Sequence, residues 1–166
     1  MNGTAADATV EAALANDLRE IAGIAARIDG FCAGHGIARE VAYAVNLALE
    51  ELLSNTIAYG YNDEEPHRIE VLLRLEGQAL VVIVVDDARA FDPTRTPEPD
   101  PASLLDDEDG LGGLGLLLVN RMMDRVEYQR RAGCNVTVLT KDTASDTGED
   151  GEVDEAVSRS PDPGSS

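Results

Sequence analysis

The chain has 166 residues, 43% of them hydrophobic but only 4% aromatic, and carries a net charge of −19. That length is one domain with a core filled mainly by aliphatic side chains, and the charge excludes nucleic acid as a direct ligand, which needs clustered Lys and Arg. No apolar run approaches the roughly 20 residues that cross a bilayer, and the start, MNGTAADATVEAAL, has no basic stretch leading into an apolar one as a signal peptide would.

Cys32 and Cys134 show neither metal spacing nor a disulfide framework, and a cytoplasmic protein is expected. Residues 1–13 read as an N-terminal segment able to form a first strand. From Asn16 to Ala33 the apolar residues Leu18, Ile21, Ile24, Ala25 and Ile28 recur at helical spacing, and Gly34 and Gly36 end the pattern. A stronger helix runs from Arg39 to Tyr59 through Val41, Val45, Leu49, Leu52 and Ile57, and Gly60 stops it. Ile69 to Leu75 alternates as a strand, Gly77 turns, and the β-branched run Ala79 to Val85 suits a strand covered on at least one face. Asp92 to Asp109 is a polar, proline-rich stretch whose length marks it as a lid or a disordered segment. Gly115 to Val126 is helical again, and Glu127 to Lys141, broken at Gly133, reads as a closing hairpin. From Asp142 onward the acidic sequence cannot bury enough surface to order itself. The body, residues 14–141, is therefore expected to be an α/β two-layer sandwich with helices on one face of a mixed, mainly antiparallel sheet.

Three constellations can carry chemistry. Glu51 and Asn55, four apart, share one face of an apolar helix. The amide oxygen of Asn55 can ligate Mg²⁺ and the carboxylate of Glu51 can polarise a hydroxyl; a solvated Glu and a local Asn hydrogen bond explain the same residues. Asp86 and Asp87 end the apolar strand, where a carboxylate can accept a hydrogen bond from an exocyclic amine such as adenine's; ordinary turn chemistry is the other explanation. Gly110 to Gly115 (GLGGLG) runs into an amphipathic helix whose free N–H groups and dipole suit an anion. It lacks the preceding strand of a dinucleotide fold and the Lys-Ser/Thr of a Walker loop, so phosphate binding at a helix start remains, against a flexible hinge.

In this order the three segments resemble the GHKL ATP-binding superfamily, most closely the RsbW-like anti-sigma factor serine/threonine kinases, over about Leu14 to Lys141. Glu51, Asn55, Tyr59, Gly60 and Tyr61 fill that family's E-x-x-x-N-x-x-x-H/Y-G-Y pattern. Asp86, Ala88, Phe91, Asp92 and Pro93 match D-x-G-x-x-F-D-P apart from Ala88. Gly112, Gly113, Gly115 and Leu116, then Met123, Asp124, Val126 and Tyr128, match the second glycine motif and its helix, and Gly133 to Asn135 matches a closing G-x-N. The resemblance implies ATP and Mg²⁺ as cofactors, Glu51 as general base and Asn55 as Mg²⁺ ligand. It implies Asp86 on the adenine amine, and Ala88, Phe91, Gly110, Gly112, Gly113, Leu114, Gly115 and Leu116 around the nucleotide. The lid would span about residues 92–111. The implied partners are a sigma factor and a STAS-type anti-anti-sigma protein, with no direct nucleic acid, no membrane and a homodimer as the assembly.

Two departures bear on activity. Alanine stands at Ala88, where the family has glycine; a positive φ or a close backbone approach there would cost about 1 kcal/mol. Asp106, Asp107, Glu108 and Asp109 put four carboxylates directly before the glycines, where they repel phosphate unless turned away or offset by Mg²⁺. Two functions are therefore expected to compete: a kinase acting on the anti-anti-sigma partner, and a non-catalytic, nucleotide-responsive binding module in the same partner switch.

Overall fold

The computed structural model describes residues 9–95 and 111–144. They form β1 (Thr9–Ala15), a 3-10 turn at Leu18–Glu20, α1 (Ile21–Gly34), α2 (Arg39–Tyr59), β2 (Arg68–Glu76), β3 (Ala79–Asp86), α3 (Leu111–Met122), β4 (Arg125–Arg131) and β5 (Cys134–Asp142). The strands lie in the order β1-β2-β3-β5-β4. All four pairings are antiparallel, so the described sheet has no parallel pair.

Alternation along each strand decides which side chains meet the helices. Ile69, Val71 and Leu73 of β2, Leu80, Val82 and Val84 of β3, and Leu139 of β5 are buried on one face. There they join Ile24 and Ile28 of α1, Val45, Leu49 and Leu53 of α2, and Val119 of α3 in a single cluster. All three helices therefore cover the same side of the sheet. The opposite side has no helix among the described residues, and Leu72, Ile83, Val85 and Val138 are half-buried there.

Helix α2 crosses the middle of this layer because its apolar residues recur every three or four positions, and Val41, Val45, Ala48, Leu49 and Leu52 are all buried. The Gly60 N–H donates to the Thr56 carbonyl at 2.8 Å to close the last turn. The first helical stretch begins later than its periodicity predicts. Asp17 accepts a hydrogen bond from the Arg19 N–H at 2.9 Å, which holds residues 18–20 in a 3-10 turn before α1 starts at Ile21.

Two boundaries are corrected. Helix α3 runs from Leu111 to Met122 instead of Gly115 to Val126. It stops where the Asp124 N–H turns to the Thr140 carbonyl at 3.0 Å, and Val126 then pairs with Leu139 as a strand residue. The ordered body also outlasts Lys141. Asp142 belongs to β5, its N–H donating to Asp124 at 2.7 Å, and the Thr143 N–H reaches the Gln78 carbonyl at 2.7 Å. The remaining tail from residue 145 and the polar stretch 96–110 lie outside the described residues.

Leu53 is fully buried between α2 and the sheet. Leu53→Ala is expected to lower unfolding stability by about 2–5 kcal/mol through lost burial and an unfilled cavity, read from the denaturant midpoint at unchanged m.

Candidate functional site

The far end of β3 organises the site. Register pairs Asp86 with Asn135 of β5 and Val84 with Thr137, so two polar residues occupy positions that face the helices. Asp86 is 5% exposed. Its Oδ1 accepts from Asn135 Nδ2 at 2.7 Å and from the Ala88 N–H at 3.1 Å. Among the described residues no hydrogen bond reaches its Oδ2. Burial pushes the Asp86 carboxyl above the ordinary value of 3.8 and Asp87 adds to that, while Asn135, the Ala88 N–H and Arg130 pull it back.

The turn after Asp86 is tied to the end of α2, because the Arg89 N–H donates to the Gly60 carbonyl at 2.9 Å. Ala88 is buried, and a Cβ on Gly60 would stand 2.7 Å from its Cβ. The glycine at 60 therefore provides the space into which Ala88 fits. The strain expected at Ala88 is absent: among described residues other than glycine, positive φ occurs at Ala132 alone.

On α2, Glu51 and Asn55 lie one turn apart beside α3. Gly115 sits directly against the Glu51 carboxylate; a Cβ there would overlap Oε2 and lie 3.1 Å from Cδ. Asn55 is half-buried, and its Nδ2 is a buried donor without a hydrogen-bond partner among the described residues. An orphaned amide donor costs free energy in an isolated chain, and a bound ligand acceptor would relieve it.

The glycine segment differs from a phosphate loop. Leu111 to Gly115 already belong to α3, so Gly112, Gly113 and Gly115 lie in the helix's opening turns, and Gly110 falls outside the described residues. The free N–H groups of a helix start are thereby brought forward to Leu111 and its neighbours. Leu116 is buried, whereas Leu114 and Phe91 are exposed near half their surface. The structure thus brings together Glu51, Asn55 and Gly115, and separately Asp86 with Ala88. Asp92 caps its own turn by accepting from the Thr94 N–H at 3.0 Å, and Pro93 behind it is fully buried. Asn120 of α3 donates to the Pro93 carbonyl at 3.0 Å and so fastens the helix to the residues leading out of β3.

The motif reading gave no role to Asn120 or Arg130, and matched Tyr128 and Asn135 only as parts of a spacing. The inward row of β5 reads Asn135, Thr137, Leu139 and Lys141, so the polar residues that face the helices there are the signal a strand register would have exposed.

Residues 12–141 match the histidine kinase-like ATPase domain family. The chain is 31% identical over 105 residues to the serine/threonine-protein kinase BtrW of Bordetella bronchiseptica, covering 63% of this chain and 73% of that one. It is 30% identical over 117 residues to the serine-protein kinase RsbW of Listeria innocua, covering 69% and 74%. A crystal structure of the RsbU and RsbW domains of Rv1364c from Mycobacterium tuberculosis superposes with a TM-score of 0.60 at 15% identity; the match covers 81% of this chain and 32% of that longer one. The chain belongs to the histidine kinase-like ATPase family, in its RsbW-like branch. That family uses ATP, and among the described residues no helix is long and apolar enough to cross a membrane.

Beside the Asp86 turn, His67 is held between two carboxylates. Its Nε2 lies 2.8 Å from Asp63 and its Nδ1 3.1 Å from Asp87, while Tyr61 stacks on the ring at 4.1 Å between centroids. Only the imidazolium donates from both nitrogens, so Asp63, followed by Asp87, raises the His67 pKa above 6.5 and His67 lowers that of Asp63 below 3.8. The raised histidine contributes stability that is complete below its unfolded value and lost as pH rises through its folded value. The lowered Asp63 contributes stability above its unfolded value, lost as pH falls through its folded one. Thermal melting is therefore expected to fall as pH rises above the ordinary histidine value of 6.5, and His67→Gln should flatten that fall. An unchanged slope in the variant would show that the clamp has no part in it.

Proposed function

We propose that the protein is an ATP-dependent serine/threonine kinase that phosphorylates a STAS-type anti-anti-sigma partner and, in the alternate state of the switch, sequesters a sigma factor. The observation that carries this reading is the buried Asn55 Nδ2, without a hydrogen-bond partner among the described residues, one turn from Glu51 on the helix beside α3. The kinase names of BtrW and RsbW support it.

The residues divide the work by chemistry. Asp86, buried at the end of β3, offers the Oδ2 that no hydrogen bond reaches among the described residues to the adenine amine, with Ala88 and exposed Phe91 alongside. The opening N–H groups of α3, through Gly112, Gly113, Leu114 and Gly115, face phosphate oxygens, and Gly110 and Leu116 flank them. Asn55 would hold Mg²⁺ through its amide oxygen, leaving Nδ2 to donate to a phosphate. Mg²⁺ when bound supplies the neutralisation of phosphate charge. Glu51 accepts the proton of the partner's serine or threonine hydroxyl as that oxygen bonds to the γ-phosphorus and the bond to ADP breaks. The lid that the resemblance implies, about residues 92–111, falls mostly outside the described residues, and the sheet face that carries no helix among the described residues is the candidate surface for a homodimer.

The competing reading, a nucleotide-responsive binding module without turnover, draws on the four acids at 106–109 immediately before α3. Ala88 no longer favours it, since Gly60 accommodates that side chain. Glu51→Gln separates the two. Phosphotransfer to an anti-anti-sigma substrate should drop by about 10²–10⁴-fold while Mg-ATP affinity stays near wild type. A variant that transfers phosphate at the wild-type rate removes Glu51 as base. A wild-type protein that binds Mg-ATP and phosphorylates no partner leaves the binding module standing. Asn55→Ala should abolish the Mg²⁺ dependence of ATP binding in calorimetric titration, and equal weak binding in both proteins would remove the nucleotide site altogether.

A further inference from the structure

We propose that Asn135 is the positioning residue for nucleobase selectivity, holding Asp86 as an obligate hydrogen-bond acceptor so that a base bearing an exocyclic amine is taken and one bearing a carbonyl at that place is refused. The inference rests on the reading that Asp86 faces the base.

The arrangement leaves the amide a single orientation. Arg130 can only donate, and its NH1 reaches Asn135 Oδ1 at 2.7 Å, so the oxygen side of the amide must face Arg130. The Tyr128 hydroxyl donates to the same oxygen at 2.9 Å. Nδ2 is thereby turned toward Asp86 Oδ1 at 2.7 Å, and its remaining hydrogen is shared between the Arg89 carbonyl at 3.0 Å and the Ala88 carbonyl at 3.3 Å. Arg130 NH1 also reaches the Ala88 carbonyl at 3.1 Å. One buried side chain therefore joins the edge strand β4, the carboxylate and both carbonyls of the turn.

This matters because of what a buried carboxylic acid does when it is not held charged. Neutral, it carries an O–H that can donate to a carbonyl as readily as its other oxygen accepts from an amine, and discrimination between the two kinds of base is lost. Ionised, it only accepts. Donors on Oδ1 favour the ionised form and leave Oδ2 as the acceptor presented outward. Asn135 supplies the shorter of those two donor contacts and is itself 4% exposed. A hydrogen bond to a charged group that one ligand makes and another cannot is worth about tenfold or more in affinity.

The test compares the full-length protein's dissociation constants for Mg-ATP and Mg-inosine triphosphate, which differ at that position by an amine and a carbonyl. Wild type is expected to prefer ATP by roughly tenfold or more. In Asn135→Ala and Asn135→Asp the preference should fall to within about threefold of unity, chiefly through weaker ATP binding. A general loss of folded protein lowers both affinities together and leaves the ratio unmoved, so the ratio reports positioning and not stability. Arg130 is exposed, so Arg130→Met should fold and should lose part of the preference; if neither Asn135 variant folds, this variant decides. Folded variants that keep the wild-type ratio overturn the inference. A wild type that binds both triphosphates equally also overturns it while leaving the nucleotide site intact, and a wild type that binds neither removes the nucleotide reading and the inference with it.

Discussion

A carboxylate as enclosed as Asp86 is tolerated only where donors meet it, because the free energy of removing it from water is far larger than any single contact returns. Those donors come from the adjoining turn and from a strand distant in sequence. Asn135 arrives through the β3–β5 register and the Ala88 N–H through the turn after β3, while Arg130 comes from the edge strand β4 and touches Asn135 in turn. The Arg89 N–H then fastens the same turn to Gly60 at the end of α2. The helix that carries Glu51 and Asn55 is thus indexed to the sheet at its C-terminal end, and a shift of β5 by one residue would turn Asn135 away and leave the carboxylate with the Ala88 N–H alone.

Charge imposes a second constraint. A chain with net charge −19 repels a polyanionic nucleotide at long range, and the described part of α3 has its basic residue, Arg121, only in the last turn. Local, directional donors must therefore do what a lysine does in other phosphate sites. The first turn of α3 holds Gly112 and Gly113, and glycines there allow a ligand to approach the backbone closely. The same absence of side chain at Gly115 makes room for Glu51, so one substitution to alanine there would displace the carboxylate without touching the core. In the proposed kinase reading, phosphate approach and placement of Glu51 converge on one short segment.

The sequence reveals the fold where periodicity and a physical stop agree. Helix α2 is bounded by Tyr59 because the apolar pattern ends and Gly60 closes it, and β2 and β3 follow from alternation on either side of Gly77. It misleads at α3, since Val126 continues the helical spacing of Val119 and Met123 while the chain has already turned into β4. Spacing cannot distinguish those outcomes; the Asp124 N–H bond to Thr140 does, and that partner is a strand away. The candidate site was legible as residue types in order, through Glu51, Asn55 and Asp86. The residues that orient them were not, because the value of Asn135 or Arg130 lies in a cross-strand neighbour that a linear reading does not display. The His67 clamp was hidden for the same reason, its two carboxylates lying on either side of a strand pair.

Ala88 shows how a departure from a motif should be weighed. Judged alone, alanine in place of glycine beside a bound base signals strain or lost approach. In the folded chain the methyl group points to Gly60, where the absence of a side chain leaves room for it, and the backbone at Ala88 stays out of the positive-φ region. Position 60 itself cannot carry a Cβ, which would overlap the Thr56 carbonyl oxygen as well as the Ala88 methyl, so the space is left to Ala88. The glycine that ends α2 therefore has two duties, closing the helix and accepting Ala88, and the motif position tolerates alanine because the second duty is met on another element. What the site requires at this point is the volume of one methyl group and a carbonyl aimed at Asn135, and both are present.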